Sequence, residues 1–160
     1  TETFETGTKG SYAAASVTLS SGSWMFSDAI IGGDASDIKN GAKAARIRGS
    51  VGSNNGFIET EFAIAGLKKV TVSHAQTNFF EGSGTLTVSF EVQVSNNGGA
   101  WTKVGSTVTP VLGTLNTAEF LVNAAAGENV KVRILNTSGA SIQTPTNQVR
   151  INIVDVKLEQ

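Results

Sequence analysis

The chain has 160 residues, of which 16% are charged, and its formal net charge is -1. This length suits one domain with a substantial core, while the near-neutral charge argues against a nucleic-acid partner. No apolar run approaches the roughly 18 residues that a membrane-spanning helix needs, and the absence of cysteine excludes disulfides, thiol chemistry and cysteine-bound zinc.

The composition, with 18 glycines and only 2 prolines, predicts many short strands joined by polar turns. In chain order, we predict strands within residues 2–6, 12–20, 23–31, 42–49, 56–64, 67–75, 84–95, 100–109, 118–123, 129–136 and 148–159. Turns are predicted between them, among others at 81–84 and 138–146. Strands of this size and spacing are typical of an all-β sandwich or barrel.

The clearest strand is GTLTVSFEVQVS, in which apolar residues from Leu86 to Val94 alternate with polar ones. This period of two indicates one buried and one solvated face. The Asn97-Gly98 pair that follows is the strongest short-range signal for a hairpin.

The stretch SDIKNGAKAARIRG, residues 36–49, concentrates positive charge without forming a predicted helix. Asn40-Gly41 interrupts it, and the part after Gly41 fits strand alternation, with Ile47 facing inward and Arg46 and Arg48 facing outward. We expect the part before it to be a turn stabilised by Asx side chains.

Several segments, taken in order, resemble the jelly-roll accessory domains, similar to carbohydrate-binding modules, of secreted bacterial multidomain enzymes, and more distantly MAM-like sandwiches. These segments are TFETG (3–7), SGSW (21–24), SDIKNGAKAARIRG (36–49), FIETEF (57–62), VSNNGGAWTKVGSTV (94–108) and VRINIVDVKLE (149–159). The resemblance covers residues 1–160 as one module and implies an all-β jelly-roll β-sandwich of two antiparallel sheets.

The resemblance also implies that the first and last strands lie near each other and often hold a structural calcium ion. Its ligands would come from the opening acidic residues, Glu2 and Glu5, and from a closing acidic pair. Here that pair reads Val154-Asp155, so one expected carboxylate is missing. Because calcium takes six to eight oxygen ligands, Glu5, Asp155 and backbone carbonyls are the expected metal ligands.

Catalytic patterns are weak in this sequence. The single histidine, His74, shares strand parity with Val70 and Val72, which favours a structural role. Glu59 and Glu61 alternate with apolar neighbours and fit the solvated face of a strand better than a glycosidase pair. We therefore expect no enzymatic activity.

Three aromatic residues are candidates for stacking on a sugar ring. Trp24 is either such a platform or, more simply, part of the core. Phe79 and Phe80 are adjacent in a polar, glycine-rich segment. Adjacent residues of an extended chain point in opposite directions, so we expect one of the two rings to be exposed.

The arginines suggest a second type of contact. Arg46, Arg48, Arg133 and Arg150 all take the non-core parity of predicted strands, and neighbouring strands would place them on one basic surface. Such a surface suits acidic polysaccharides. The alternative is that these arginines form cross-strand ion pairs with Glu59, Glu61 and Glu91.

We therefore predict a non-catalytic carbohydrate-binding module that targets a secreted enzyme to a polysaccharide, an acidic one being an open option. The predicted ligand-binding residues are Trp24, Arg46, Arg48, Phe79 and Phe80. The expected partners are the polysaccharide and a neighbouring catalytic domain in a longer bacterial protein, secreted or at the cell surface, with the module itself monomeric. The alternative is a structural or protein-interaction domain, such as an adhesin or spacer, with no glycan ligand.

Overall fold

The computed structural model describes residues 1–49, 55–81, 86–139 and 149–160. These residues form twelve strands in two antiparallel sheets. Ordered across the sheet, the larger contains β1 (Ala15–Leu19), β2 (Gly22–Ser27), β5 (Phe57–Thr60), β11 (Asn129–Asn136), β8 (Phe90–Asn96) and β9 (Thr102–Val108), with β6 (Ile64–Ala65) also pairing with β11. The smaller contains β10 (Asn116–Leu121), β7 (Lys69–Gln76), β12 (Arg150–Glu159), β4 (Ala44–Arg48) and β3 (Ala29–Gly32).

The two sheets face each other across an apolar core, which confirms the predicted all-β jelly-roll sandwich. Alternate residues of the strands supply the core because side chains of a strand point to opposite faces. The largest buried side chains are Trp24, Phe4, Phe26, Phe90 and Phe120. The predicted turns at 81–84 and 138–146 lie partly outside the described residues.

The segment predicted as one strand over 23–31 is divided between the two sheets. Asp28 adopts a φ of 46°, in the left-handed region, between β2 of the larger sheet and β3 of the smaller. Asp and Asn tolerate this conformation better than most residues. The chain therefore crosses from one sheet to the other at Asp28.

The opening segment is not the strand that its sequence predicts. Only Glu2 pairs with a strand residue, Val156, and Phe4 has a φ of 63°. The Phe4 ring packs edge-on against Trp24 at 6.0 Å and Phe26 at 6.3 Å between ring centres. The expected proximity of the chain's opening segment to the last strand is nevertheless confirmed.

The predicted hairpin at Asn97-Gly98 is present between β8 and β9. Both turn residues have positive φ, 50° and 77°, as a two-residue primed turn requires. Strand β8 begins at Phe90 rather than at residue 84, although Leu86, Val88 and Phe90 keep their predicted orientation toward the core. Among the described residues, no helix is long and apolar enough to span a membrane.

Candidate functional site

Three of the predicted outward-facing arginines lie side by side on the outer face of the smaller sheet. Strands β4 and β12 pair so that Arg48 is opposite Arg150 and Arg46 is opposite Asn152. Ile47, between the two β4 arginines, is fully buried. The predicted orientation of Arg46 and Arg48 is therefore confirmed.

Arg46 belongs to a hydrogen-bonded network that covers part of this face. Its Nε and Nη2 donate to the two carboxylate oxygens of Asp37 at 2.9 and 2.8 Å, the bidentate geometry that suits a guanidinium. The side-chain amide of Asn152 donates to the same carboxylate at 3.0 Å and accepts from the Ile38 amide at 2.8 Å. These bonds fix the loop of residues 33–41 over the sheet.

The other arginines are also paired, and Arg133 does not share the surface of the other three. Arg48 Nη2 lies 2.5 Å from Asp28 Oδ1, and its guanidinium carbon lies 3.8 Å from the Tyr12 ring centre. Arg133 belongs to β11 of the larger sheet and pairs with Glu59 at 2.6 Å. The predicted single surface of four arginines is therefore wrong. The arginines are ion-paired, but of the predicted partners only Glu59 pairs with one of them among the described residues; Arg46, Arg48 and Arg150 pair instead with Asp37, Asp28 and Glu81.

Phe79 and Phe80 diverge as adjacent residues should. Phe79 is half-buried beneath two guanidinium groups, with Arg46 at 4.5 Å and Arg150 at 4.1 Å from its ring centre. Phe80 is 79% exposed. The expectation of one exposed ring is confirmed, and the exposed ring is Phe80.

Phe80 stands at the rim of a surface cavity of about 310 Å³. The cavity lies where β7 ends and the loop after β9 approaches it. There the Gln76 amide donates to the Val111 carbonyl, and the Gln76 carbonyl accepts from the Gly113 amide. Its wall combines polar and apolar side chains: Gln76, Asn78, Phe79, Glu81, Leu86 and Leu112. This combination of an aromatic rim, amides and a carboxylate matches the chemistry of small polar ligand sites.

Glu81 is the charged group of this cavity. Its side chain is 2% exposed, and its Oε1 accepts from the backbone amide and the Nε of Arg150 at 3.1 and 2.8 Å. Burial raises the pKa of Glu81, although Arg150 opposes that shift. Within the described residues, the buried Oε2 has no hydrogen-bond partner.

Trp24, predicted either as a sugar platform or as a core residue, is fully buried. Its indole nitrogen donates to Ser21 Oγ at 3.0 Å, and its ring packs edge-on against Phe62 with 6.2 Å between ring centres. Because no face of the ring reaches solvent, the ligand-binding interpretation of Trp24 is wrong.

Glu5 and Asp155, the two predicted metal ligands, line one pocket of about 210 Å³. Burial and the charge of Glu5 raise the pKa of Asp155, because a nearby like charge disfavours the ionised carboxylate. One oxygen of Glu5 accepts from the amides of Ala42 and Lys43 at 2.9 and 3.0 Å. Gly41 lies so close to this carboxylate that a Cβ there would collide with it.

The donor set of this pocket fits a hard cation only in part. In the described ranges, no three His, Cys, Asp or Glu side chains form a metal-binding group. Thr3 and Asn40 also line the pocket, so their oxygens could complete a calcium site around the two carboxylates. The Lys43 ammonium already occupies two backbone oxygens nearby, donating to the carbonyls of Glu5 and Gly7 at 3.1 and 2.8 Å.

Glu2 is not available as a ligand. Its fully buried carboxylate accepts from the Phe4 amide at 2.7 Å, from Ser20 Oγ at 2.9 Å, and from the amide and hydroxyl of Ser21 at 2.9 and 2.8 Å. Burial alone would raise the pKa of Glu2, but these hydrogen bonds lower it below its ordinary value. The family-based expectation for Glu2 is therefore wrong.

Asp37, Gln76 and Glu81 were not among the residues predicted for the site. Asp37 lies in the turn that the sequence predicts before the strand, and its carboxylate accepts from the Asp34 amide at 3.0 Å. Its role as the partner of Arg46 is not predicted from the sequence. Glu81 immediately follows Phe80 in the sequence. The sequence signal for Glu81 is its position beside an aromatic residue in a loop. Its pairing with the distant Arg150 cannot be predicted from the sequence.

Comparison with known proteins supports the fold. No protein-family model matches the sequence, and no curated protein matches it significantly. The fold is similar to that of TmCBM61, a structure solved with β-1,4-galactotriose, with a TM-score of 0.50, 15% identity, and coverage of 86% of this chain and 88% of that one. It is also similar to the CBM22-1 xylan-binding domain of Xyn10C from Paenibacillus barcinonensis, with a TM-score of 0.50, 8% identity, and coverage of 84% and 85%. The chain thus has the fold of carbohydrate-binding modules.

Proposed function

We propose that this chain is a non-catalytic carbohydrate-binding module whose ligand site is the cavity bordered by Phe80. The observation that carries the proposal is the exposure of Phe80, 79%, at the rim of a cavity that also contains amide and carboxylate groups. An exposed ring stacks on the apolar C–H face of a sugar, while planar polar groups bind its hydroxyls. Similarity to sugar-binding structures supports the same conclusion.

The other predicted contact residues have supporting roles in this proposal. Phe79 lines the cavity, and the Arg46 guanidinium stacks on its ring at 4.5 Å. Arg48 is paired with Asp28 and stacked on Tyr12. Because each of these arginines already has a carboxylate partner, the charge that favoured an acidic polysaccharide is largely neutralised.

The position of the cavity suits a targeting role. Strand β12 begins beside it at Arg150 and ends nine residues later at Glu159, at the far end of the sandwich, and the opening residues pair with Val156 in that distal half. A catalytic domain joined in that half would leave the cavity accessible. Binding would then raise the effective concentration of such a domain on its polymer, outside the cell in a secreted or surface protein.

Affinity electrophoresis of the isolated chain against neutral and acidic polysaccharides tests this function. We expect at least one glycan to retard the wild-type chain and Phe80→Ala to weaken the retardation. The loss in affinity should be roughly five- to 150-fold, because stacking on an aromatic ring is worth about 1–3 kcal/mol. Leu121→Ala is the matched control, since Leu121 is 65% exposed but lies at the opposite end of β7, where it pairs with Lys69. Equal binding by Phe80→Ala and wild type would show that the ligand site is not the cavity at Phe80.

A second candidate, a protein-interaction or spacer domain, is favoured by one observation. Exposed apolar side chains continue from Phe80 along the loop before β10, at Val111, Leu112 and Leu115, which are 51%, 58% and 43% exposed. Exposed apolar patches of this kind often mark protein contacts. Failure of every glycan in the panel would favour this candidate.

We also propose that calcium binds between Glu5 and Asp155, with Thr3 and Asn40 as further oxygen donors. The support is the shared pocket and the repulsion between two carboxylates that raises the pKa of Asp155 beyond the effect of burial. Bound calcium would neutralise this pair and tie the opening segment to β12. Its role would be structural, since the pocket is separate from the cavity at Phe80.

A further inference from the structure

Asparagine followed by glycine occurs three times in this chain, at Asn40-Gly41, Asn55-Gly56 and Asn97-Gly98. Such a pair can undergo spontaneous deamidation, in which the glycine nitrogen attacks the side-chain amide carbon of the asparagine. Glycine permits this attack because it has no Cβ to obstruct the approach. The reaction also needs an asparagine side chain that can move and a glycine amide that is not engaged in a hydrogen bond. The three pairs therefore differ in reactivity according to their contacts.

Two of the three pairs are held by hydrogen bonds. The Gly56 amide donates to the Arg48 carbonyl at 3.2 Å, and Gly56 is buried. Asn97 Oδ1 accepts from the Asn129 amide at 3.0 Å, and the Asn97 amide donates to the Asn129 carbonyl at 2.7 Å. In the first pair the attacking nitrogen is engaged, and in the second the attacked side chain is fixed in the turn between β8 and β9.

Asn40 and Gly41 lack these constraints. Both residues are exposed, in the loop before β4. The amides of the next two residues, Ala42 and Lys43, donate to Glu5 Oε1. In the part of the chain that the structure describes, neither the Gly41 amide nor the Asn40 side chain has a hydrogen-bond partner. On these contacts, the attacking nitrogen and the attacked side chain are both free in this pair alone.

We infer that Asn40 is a site of spontaneous deamidation. The Gly41 nitrogen loses its proton and attacks Asn40 Cγ, the bond from Cγ to the side-chain nitrogen breaks, and ammonia leaves, which closes a succinimide ring. Water then opens the ring at either of its carbonyl carbons and gives aspartate or isoaspartate. Each product has a carboxylate at position 40 in place of the amide, so the chain gains one negative charge. The modification is independent of the proposed carbohydrate-binding function.

The new carboxylate would enter the pocket that already contains Glu5 and Asp155, because Asn40 lines that pocket. No group of three metal-binding His, Cys, Asp or Glu side chains exists within the described segments of the chain, and deamidation would supply a third carboxylate here. The affinity of a calcium site depends on the number of its charged ligands, so the product should bind calcium more tightly than the amide form. This consequence rests on the proposed calcium site, whereas the modification itself does not.

Peptide mapping of the folded chain tests the modification. Cleavage after lysine and arginine places Asn40, Asn55 and Asn97 in separate peptides. The wild-type chain is incubated in mildly alkaline buffer without calcium, and tandem mass spectrometry follows the conversion of each amide to a carboxylate. We expect Asn40 to convert several times faster than the other two in the folded chain, and all three to convert at similar rates in urea. Conversion at Asn40 that is no faster than at Asn55 or Asn97 in the folded chain overturns the inference.

Variants at position 40 test the consequence for calcium. Asn40→Asp carries the carboxylate of the product, and Asn40→Gln is the matched control because its longer side chain keeps an amide that cyclises far more slowly. Calorimetric titration should show calcium binding to Asn40→Asp roughly tenfold more tightly than to Asn40→Gln. Equal calcium affinities in the two variants overturn the contribution of position 40 to the pocket. If neither variant nor wild type binds calcium, the proposed calcium site fails, and the peptide mapping alone decides the modification.

Discussion

His74 occupies the face of β7 that its sequence parity predicts. It is 3% exposed, its ring lies 4.9 Å from that of Phe90, and burial lowers its pKa. Within the described residues, its Nδ1 has no partner. The protein therefore holds a neutral imidazole in an apolar site, and protonation of that ring opposes folding.

This arrangement predicts a specific dependence of stability on pH. The unfolded chain binds a proton at His74 near the ordinary pKa of 6.5, whereas the folded chain binds it only at lower pH. Between these two values the unfolded state holds more protons, so the free energy of unfolding falls as pH decreases below about 6.5, by at most about 1.4 kcal/mol per pH unit.

Urea denaturation between pH 4.5 and 7.5 measures this effect by comparing wild type with His74→Leu. The difference removes the contributions of Glu2, Glu81 and Asp155, which titrate in both proteins. We expect the variant to lose less stability than wild type on acidification. Parallel curves for the two proteins would contradict the proposed cost of protonating His74.

At the level of the strands, period-two alternation predicted which residues face the core. It succeeded for β4, where Ile47 is buried between Arg46 and Arg48. It also succeeded for most of the strand predicted over residues 84–95, whose second half is part of β8. It could not predict which sheet a strand joins, because alternation describes the two faces of a strand and not its neighbours. Arg133 and Arg150 are an example: their sequence contexts are similar, but they lie on different sheets.

Residues in the left-handed region explain two further differences. Phe4 and Asp28 have φ values of 63° and 46°, and they end or redirect segments that strand propensity predicts to be continuous. Long-range contacts stabilise both: Phe4 packs on Trp24, and Asp28 pairs with Arg48. The sequence near each residue carries no sign of these partners. The pairing of Glu81 with Arg150, on which the candidate site depends, is hidden for the same reason.

In the loop of residues 33–41, one buried carboxylate makes a contribution to the free energy of unfolding that can be measured. Asp37 binds Arg46 and Asn152 and also accepts from the amide of Asp34. Asp37→Ala would leave a nearly buried guanidinium, 11% exposed, without its counter-ion. Because removal of one partner from a buried ion pair is costly, we expect a loss of about 3–5 kcal/mol in the free energy of unfolding.

Chemical denaturation of Asp37→Ala and Asp34→Ala measures that loss. Asp34 is the matched control because it lies in the same loop but is exposed, and its side chain accepts from the Ser36 amide alone among the described residues. We expect the control to lose about 1 kcal/mol or less. Similar losses in both variants would show that the loop, rather than the Asp37–Arg46 pair, sets the stability.

Over the whole molecule, strand β12 connects the two proposed sites. Arg150 contacts Phe79 and Glu81, which line the Phe80 cavity, and Asp155 lies five positions further along, at the Glu5 pocket. At about 3.3 Å per residue, roughly 16 Å separates the two positions along the strand. The two proposals thus place sugar binding at one end of the sandwich and cation binding beside the segment that pairs with the opening residues.

This separation predicts that calcium changes stability without changing glycan affinity. A ligand present at a hundred times its dissociation constant stabilises the folded state by about 2.7 kcal/mol, so millimolar calcium should raise the melting temperature of chelator-treated wild type by several degrees. Asp155→Asn should lose this response.

Without calcium, that variant should be at least as stable as wild type near neutral pH, because ionising a carboxyl of raised pKa opposes folding. Magnesium, which needs a tighter octahedral site, serves as the control ion. An equal calcium response in wild type and Asp155→Asn would exclude the Glu5–Asp155 pocket, and a calcium-dependent change in glycan affinity would show that the two proposed sites are coupled.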